Sequence, residues 1–293
     1  MALPRQRTIA RPAEICGFGL FRGGDCRIRF LPAPENFGIA FRRVDLPGRP
    51  LIPATIDSLV PAERRTVIAS AGAKVEMIEH VMAAVAGLWI DNCLIELDAI
   101  EPPVGDGSSI AFVEALQQAG FIEQSAPAAV VHAVDACAGS CLRGVEMAAA
   151  PRCIMGYHLD YPGTIVGRQS VEATITPETF TKEFAFARTF VMADEIAALQ
   201  AQGLGLRATT ANVLVIDKGA VRDNAFRRPD ECARHKLLDS IGDFALCGAR
   251  VQGRFLGHRS GHRNNHEVAG ALQRLLKLQT CPISSRESSG AAA

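Results

Sequence analysis

His235 and Asp239 stand four residues apart in R-H-K-L-L-D-S-I-G-D, and Glu79 and His80 stand side by side in M-I-E-H-V. On a helix, positions i and i+4 stack about one turn apart on the same face. An imidazole and a carboxylate in that register can grip one small cation, and zinc accepts both ligand types. Taken alone, such a pair is more often the polar face of an amphipathic helix. It gains force only when the chain supplies a third ligand and a base elsewhere. Glu79 and His80 meet that need, because neighbouring helix positions point about 100° apart. One can bind the metal while the other leans over the substrate side. Zinc hydrolases use that division: three protein ligands, one open position and a general base outside the ligand set. His80, His235 and Asp239 make the three. Glu79 takes the proton from a water whose pKa the metal lowers from 15.7 to about 7. Asp243 follows one more turn along the side of His235 and Asp239.

Near the C-terminus, G-H-R-S-G-H-R-N-N-H places three histidines within ten residues, read as a loop between a strand and a helix. A histidine there can carry charge near neutral pH and protonate a leaving amine. By itself the stretch is equally a basic exposed loop or a small anion site. F-A-R-T-F ends a helical stretch at Thr189, whose hydroxyl could donate to an oxyanion, although most such threonines cap or pack.

The elements that must carry these groups follow from periodicity. Arg27 to Leu31, Gly38 to Arg42, Thr66 to Ala69 and Asn92 to Leu97 read as strands. Ile78, Val81, Met82, Val85 and Leu88 recur at helical spacing through Glu76 to Leu88. Asp106 or the serines of G-D-G-S-S cap a helix from Ile110 to Gln118. The polar, small stretch Gln124 to Ala128 is the expected domain boundary. Beyond it, strands are expected at Val130 to Val134, Gly144 to Ala148, Cys153 to Asp160, Val171 to Ile175, Asn212 to Ile216 and Val251 to Leu256. Helices are expected at Pro177 to Phe186 with Thr176 as cap, at Asp230 to Cys247, and at Glu267 to Leu278. Strands followed by a helix with metal-type residues occur in both halves, which predicts an α+β fold of two similar units packed face to face. The expected domains are 1–125 and 126–283, with a disordered low-complexity tail at 284–293.

The 293 residues balance 31 Lys and Arg against 31 Asp and Glu, so no excess charge draws the chain to nucleic acid or an anionic membrane. The first residues lack a signal-peptide run, and the longest apolar run, Val81 to Ile90, is too short to span a bilayer. Nine cysteines without repeated C-x-x-C pairs read as reduced thiols in a cytoplasmic protein. Cys137 and Cys141, the closest pair, are weak evidence of metal binding.

Together these motifs resemble one family, the UDP-3-O-acyl-N-acetylglucosamine deacetylases, zinc amidases of lipid A synthesis. The resemblance runs from R-Q-R-T-I-A to about Lys277, through F-L-P-A-P-E-N-F-G-I-A-F-R-R, I-E-H-V-M-A-A-V-A-G-L-W-I-D-N, P-V-G-D-G-S-S, A-R-T-F, R-H-K-L-L-D-S-I-G-D and S-G-H-R. The residues alone reach no further than a zinc hydrolase; the substrate and the individual roles are implied by the resemblance. It implies two mainly antiparallel sheets with helices in a β-α-α-β sandwich, like ribosomal protein S5 domain 2. It implies His80, His235 and Asp239 as zinc ligands, with iron an alternative metal, and Glu79 as general base. His262 matches the histidine that stabilises the oxyanion and protonates the glucosamine nitrogen, Asp243 its orienting partner, and Thr189 an oxyanion donor. Lys236 and Arg259 match positions facing the polar and diphosphate groups, and Tyr161 an aromatic against the uracil. Residues 190–206, with Phe190, Met192, Ile196 and Leu204, match a strand–helix–strand insert that houses the acyl chain. The expected partner is the acylated UDP-sugar, and a monomer without stable membrane insertion is expected.

Three stretches depart from the family pattern. Arg207-Ala208 replaces a usual Gly-Gly pair, where an arginine could narrow or recharge the acyl passage. Glu63-Arg64-Arg65-Thr66 is more charged than usual beside the active site, and Arg263-Asn264-Asn265 replaces a more apolar helix opening. Two alternatives therefore stand beside the deacetylase: a related zinc de-N-acetylase acting on another nucleotide-linked N-acyl sugar, and a non-catalytic nucleotide-sugar-binding paralogue. The second has no need for Glu79.

Overall fold

Cys26, Ile28 and Phe30 are buried while Asp25, Arg27 and Arg29 between them face solvent, the period-2 pattern of a half-buried strand. The computed structural model describes residues 4–140 and 142–280. The expected tail at 284–293 and Cys141 lie outside the described residues. The first half runs β1 (Arg5–Ile9), β2 (Ala13–Phe18), β3 (Asp25–Pro32), β4 (Ile39–Arg43), β5 (Leu51–Pro53), β6 (Leu59–Val60), β7 (Val67–Ser70) and β8 (Ala73–Glu76). Then come α1 (Glu79–Gly87), β9 (Cys93–Leu97), α2 (Ile110–Ala119) and β10 (Phe121–Pro127). The second half runs β11 (Val130–His132), β12 (Ala136–Ser140), β13 (Arg143–Ala148), β14 (Cys153–Tyr161), β15 (Gly167–Thr174), α3 (Pro177–Glu183) and β16 (Phe190–Met192). It ends with α4 (Ile196–Ala201), β17 (Leu214–Ile216), α5 (Glu231–Phe244), β18 (Arg250–His258) and α6 (His262–Thr280).

The two large sheets have orders β2-β3-β9-β4-β5 and β12-β13-β18-β14-β15. Each therefore inserts its last strand, the one that follows a buried helix, between its second and third. That strand pairs in parallel with the third strand in both sheets, β4 with β9 and β14 with β18; the other pairings along each path are antiparallel. The repeated order of elements expected from the sequence is thus a repeated topology. Helices fill the space between: α2 lies on β2, α5 on β14 and β15, α6 on β11, β12 and β13, and α1 against α5 joins the halves. Residues 79–85 of α1 are buried without exception, as a helix sandwiched on all sides must be.

Several local readings change. α1 starts at Glu79 rather than Glu76, because residues 73–76 pair with β7 as a hairpin strand. α3 ends at Glu183, with Thr176 and Thr179 forming its capping box. β10, which pairs with β1, runs through Pro127 into the stretch expected to part the domains, and a strand there leaves that boundary where it was. α6 begins at His262, so His262 is helical and not on a loop. Its buried face runs through Asn265, Val268, Ala269 and Leu272, and a buried polar residue at the first of these positions hides the periodicity. No helix among the described residues is long and apolar enough to cross a membrane. The seven described cysteines are free thiols.

Candidate functional site

α1 and α5 cross where Gly242 meets the start of α1. A Cβ on Gly242 would lie 2.9 Å from the Glu79 carbonyl carbon and 3.0 Å from Ala83 N, and closer still to the Glu79 carbonyl oxygen. Only glycine permits this approach. It brings His80, on the first turn of α1, to His235 and Asp239, on the middle turns of α5. His235 Nε2 lies 3.4 Å and His80 Nε2 3.6 Å from Asp239 Oδ1, and the two rings meet edge to face at 5.0 Å. Asp239 Oδ1 is buried and without a hydrogen-bond partner. An orphaned carboxylate oxygen between two imidazole nitrogens is the donor arrangement of an ion site. The separations fit it: ligands about 2.1 Å from a tetrahedral ion stand roughly 3.4 Å apart.

The surrounding bonds leave these groups in a state that could bind an ion. His235 Nδ1 donates to the Ala187 carbonyl at 3.1 Å, which leaves Nε2 as the lone-pair nitrogen. Burial pushes the His235 imidazole down to about 3, so it is neutral. Lys236 Nζ holds the other oxygen of Asp239 at 2.9 Å. Burial alone would raise Asp239, yet the Lys236 ammonium on its other oxygen helps hold it well below the usual carboxylate range.

Glu79 is 2% exposed, and its Oε2 accepts the Thr66 N–H at 3.1 Å. Burial raises its proton affinity, the direction that suits a base. Behind the cleft, fully buried Asp243 accepts from His262 Nδ1 at 2.8 Å. Burial and the N-terminus of α6 both disfavour a charged His262. The Asp243 carboxylate outweighs them and, with Glu79 and Asp239 beyond, carries His262 up to about 9.

A cleft of about 1170 Å³ opens over these groups. It is lined by Glu79, His80, Thr189, His235, Asp239 and His262, and also by Lys236, Arg259, Tyr161, Phe190, Met192, Ile196 and Leu204. The Phe190 ring, part of its wall, lies edge-on to Tyr161 at 5.8 Å and to His235 at 6.3 Å, with Lys236 Nζ 5.6 Å from its centroid. Thr189 follows α3 by several residues, and its amide donates to the Gly107 carbonyl at 2.7 Å. The insert is strand–helix–strand as expected, but its returning strand is β17, parallel to β16, beyond Leu206. Leu20, Phe21 and Met77 of the first half line the same cleft.

Arg207 does not narrow this cleft; it turns away and clasps the first half. Its Nη1 bonds Asp25 Oδ1 at 2.6 Å and the Gly23 carbonyl at 3.1 Å, and its guanidinium stacks 4.2 Å from the Phe18 ring. Arg64 makes a matching bidentate pair with Glu195 of the insert at 2.8 and 3.1 Å. Sequence reasoning missed Thr66, Asn265 and His266 as partners of Asp243. For His266 a signal existed, its i+4 spacing from His262. His258, from the same histidine-rich stretch, packs instead against His158, the rings tilted by 38° at 5.0 Å.

Residues 6–274 match the family described as UDP-3-O-acyl N-acetylglycosamine deacetylase. The chain is 37% identical over 267 residues to the UDP-3-O-acyl-N-acetylglucosamine deacetylase of Anaeromyxobacter sp. (strain Fw109-5), covering 90% of this chain and 86% of that one. It is 34% identical over 280 residues to the protein of the same name from Stenotrophomonas maltophilia (strain K279a), covering 92% and 90%. A third of that name, from Wolinella succinogenes, is 34% identical over 272 residues, covering 92% and 90%.

Proposed function

Since the chain belongs to the UDP-3-O-acyl N-acetylglycosamine deacetylase family, we propose that it hydrolyses the N-acetyl group of UDP-3-O-acyl-N-acetylglucosamine. The products are acetate and the free amine, and the compartment is the cytoplasm. The observation that carries the reading is the unpartnered Oδ1 of Asp239 between the Nε2 atoms of His80 and His235. These three hold the metal, for which two imidazoles and a carboxylate suit zinc, with iron the alternative. A bound divalent ion supplies Lewis-acid polarisation of the acetyl carbonyl and of the attacking water.

The chain's own groups do the rest. Glu79 takes the proton of the attacking water as its oxygen bonds to the acetyl carbon. Thr189 donates its hydroxyl hydrogen to the carbonyl oxygen as that oxygen gains charge. His262, charged at neutral pH through Asp243, gives its Nε2 proton to the amide nitrogen as the C–N bond breaks. Lys236 and Arg259 face the polar and diphosphate portions, Tyr161 packs on the uracil, and the apolar wall formed by Phe190, Met192, Ile196 and Leu204 takes the acyl chain. The test is acetate release from the acylated UDP-sugar by metal-replete protein, beside its metal content. Metal without acetate points to a different N-acyl sugar; neither sinks the assignment.

A further inference from the structure

Thr66 is 1% exposed and stands at the entry of β7, facing the middle of α5 and the first turns of α6. Three elements meet on it. Its amide N–H donates to Glu79 Oε2 at 3.1 Å, and its hydroxyl donates to Asp243 Oδ1 at 2.5 Å. The same oxygen lies 2.9 Å from His266 Nε2. A hydroxyl has one hydrogen, and an ionised carboxylate only accepts, so that hydrogen goes to Asp243. His266 Nε2 must then carry a hydrogen and give it to Thr66 Oγ1. By the same reasoning His262 Nδ1 donates to Asp243 Oδ2 at 2.8 Å, beside Asn265 Nδ2 at 2.9 Å. The donors therefore run one way, from His266 through Thr66 to Asp243, and Asp243 is held on both oxygens.

Resting on the roles given above to Glu79 and His262, we propose that Thr66 is a positioning residue for the hydrolysis. With one backbone and one side-chain hydrogen bond it fixes the base on α1 relative to the carboxylate that orients the acid, while His266 keeps its hydroxyl aimed at Asp243. Neither Thr66 nor His266 lines the cleft, so both act through other groups. A buried threonine that merely packs is replaceable by valine, which has the same shape. Here valine removes the hydroxyl that joins Asp243 Oδ1 to His266 Nε2, and at 3.5 Å those two atoms stand too far apart for a normal hydrogen bond to replace it.

The test compares Thr66→Val, Thr66→Ser and His266→Leu in the metal-replete full chain. Loss of a partner that orients a site group typically costs about 10- to 100-fold. Thr66→Val is expected to lower kcat in that range with KM within about threefold, and Thr66→Ser to restore most of it. His266→Leu is expected to lower kcat by a smaller factor in the same direction. Nitrogen NMR of the histidine rings, which needs no turnover, is expected to find hydrogen on Nε2 of His266 and on Nδ1 of His262. Thr66→Val at wild-type kcat, a loss that serine does not recover, or His266 protonated on Nδ1 alone overturns the proposal. Absence of acetate release by the wild type refutes the assigned reaction instead, and leaves the NMR result to decide the donor chain.

Discussion

Replacing Gly242 by alanine tests whether the α1–α5 crossing makes the metal site. Two effects oppose each other. Alanine in a helix interior is favoured over glycine by about 0.8–1.0 kcal/mol. Against that, the new methyl lies 2.9 Å from the Glu79 carbonyl carbon and closer to its oxygen, where ordinary contact begins near 3.4 Å. The obstructing atoms are backbone and cannot rotate aside, so the helices must part by something on the order of 1 Å, with an overpacking cost of about 1–3 kcal/mol. His80 sits beside Glu79, and Asp239 one turn before Gly242, so most of that parting appears between them. A separation of 3.6 Å then approaches roughly 4.6 Å, more than twice a metal–ligand bond of about 2.1 Å, and no shared ion can span it. Gly242→Ala is expected to lower metal affinity by more than the roughly 10- to 100-fold typical of losing an outer partner, and to lower the melting temperature. The assay is a chelator-competition titration followed by thermal unfolding. Gly270→Ala is the control: it lies in α6, where an added Cβ meets Arg274 at 3.5 Å and Ile56 at 3.8 Å, and it is expected to bind metal normally and melt no lower. If Gly242→Ala binds metal as tightly as the control, the close crossing does not build the site and the reasoning fails.

Glu79→Gln is expected to retain metal and lose about 10²- to 10⁴-fold in kcat; activity within a few-fold of wild type removes Glu79 as the base. Asp239→Ala is expected to lose metal, read directly from the metal content of the purified variant. Asp243→Asn removes the charge that carries His262 up to about 9, so the alkaline limb of the kcat/KM profile moves to lower pH; an unmoved limb excludes His262 as the acid. The same shift has a sign for stability. A raised histidine stabilises the fold fully below its unfolded value near 6.5 and loses that contribution as pH rises towards about 9. The melting temperature of metal-free wild type is therefore expected to fall over that window, and that of Asp243→Asn to fall less. Arg207→Ala breaks a half-exposed clasp worth at most about 1 kcal/mol to the fold. It frees the insert, and if two methylenes of a long acyl chain lose their contact at about 0.8 kcal/mol each, discrimination between chain lengths falls roughly tenfold. An unchanged length profile rules out the clasp as a specificity device.

Periodicity made most of the architecture legible, because a strand half buried against helices must alternate as Cys26, Ile28 and Phe30 do. It fails where a polar residue occupies a core position: Asn265 in the first turns of α6 is buried for its bond to Asp243, and periodicity finds the helix only from Glu267 although it begins at His262. The spacing of His235 and Asp239 puts both side chains on one face of α5, since three to four residues per turn is a local property of the chain.

What no local rule contains is the meeting of α1 with α5, about 150 residues apart, at a glycine whose missing side chain is the reason they touch. Thr66 was visible only as part of a charged stretch, and His266 only as one of three clustered histidines. Their bonds to Asp243 exist because β7, α5 and α6 converge there. Residue types and their spacing along one helix determined which chemistry the chain could carry. Distances between helices, and with them the direction of each proton, were decided by packing alone, because side chains far apart in sequence acquire a fixed separation only when the core between them closes.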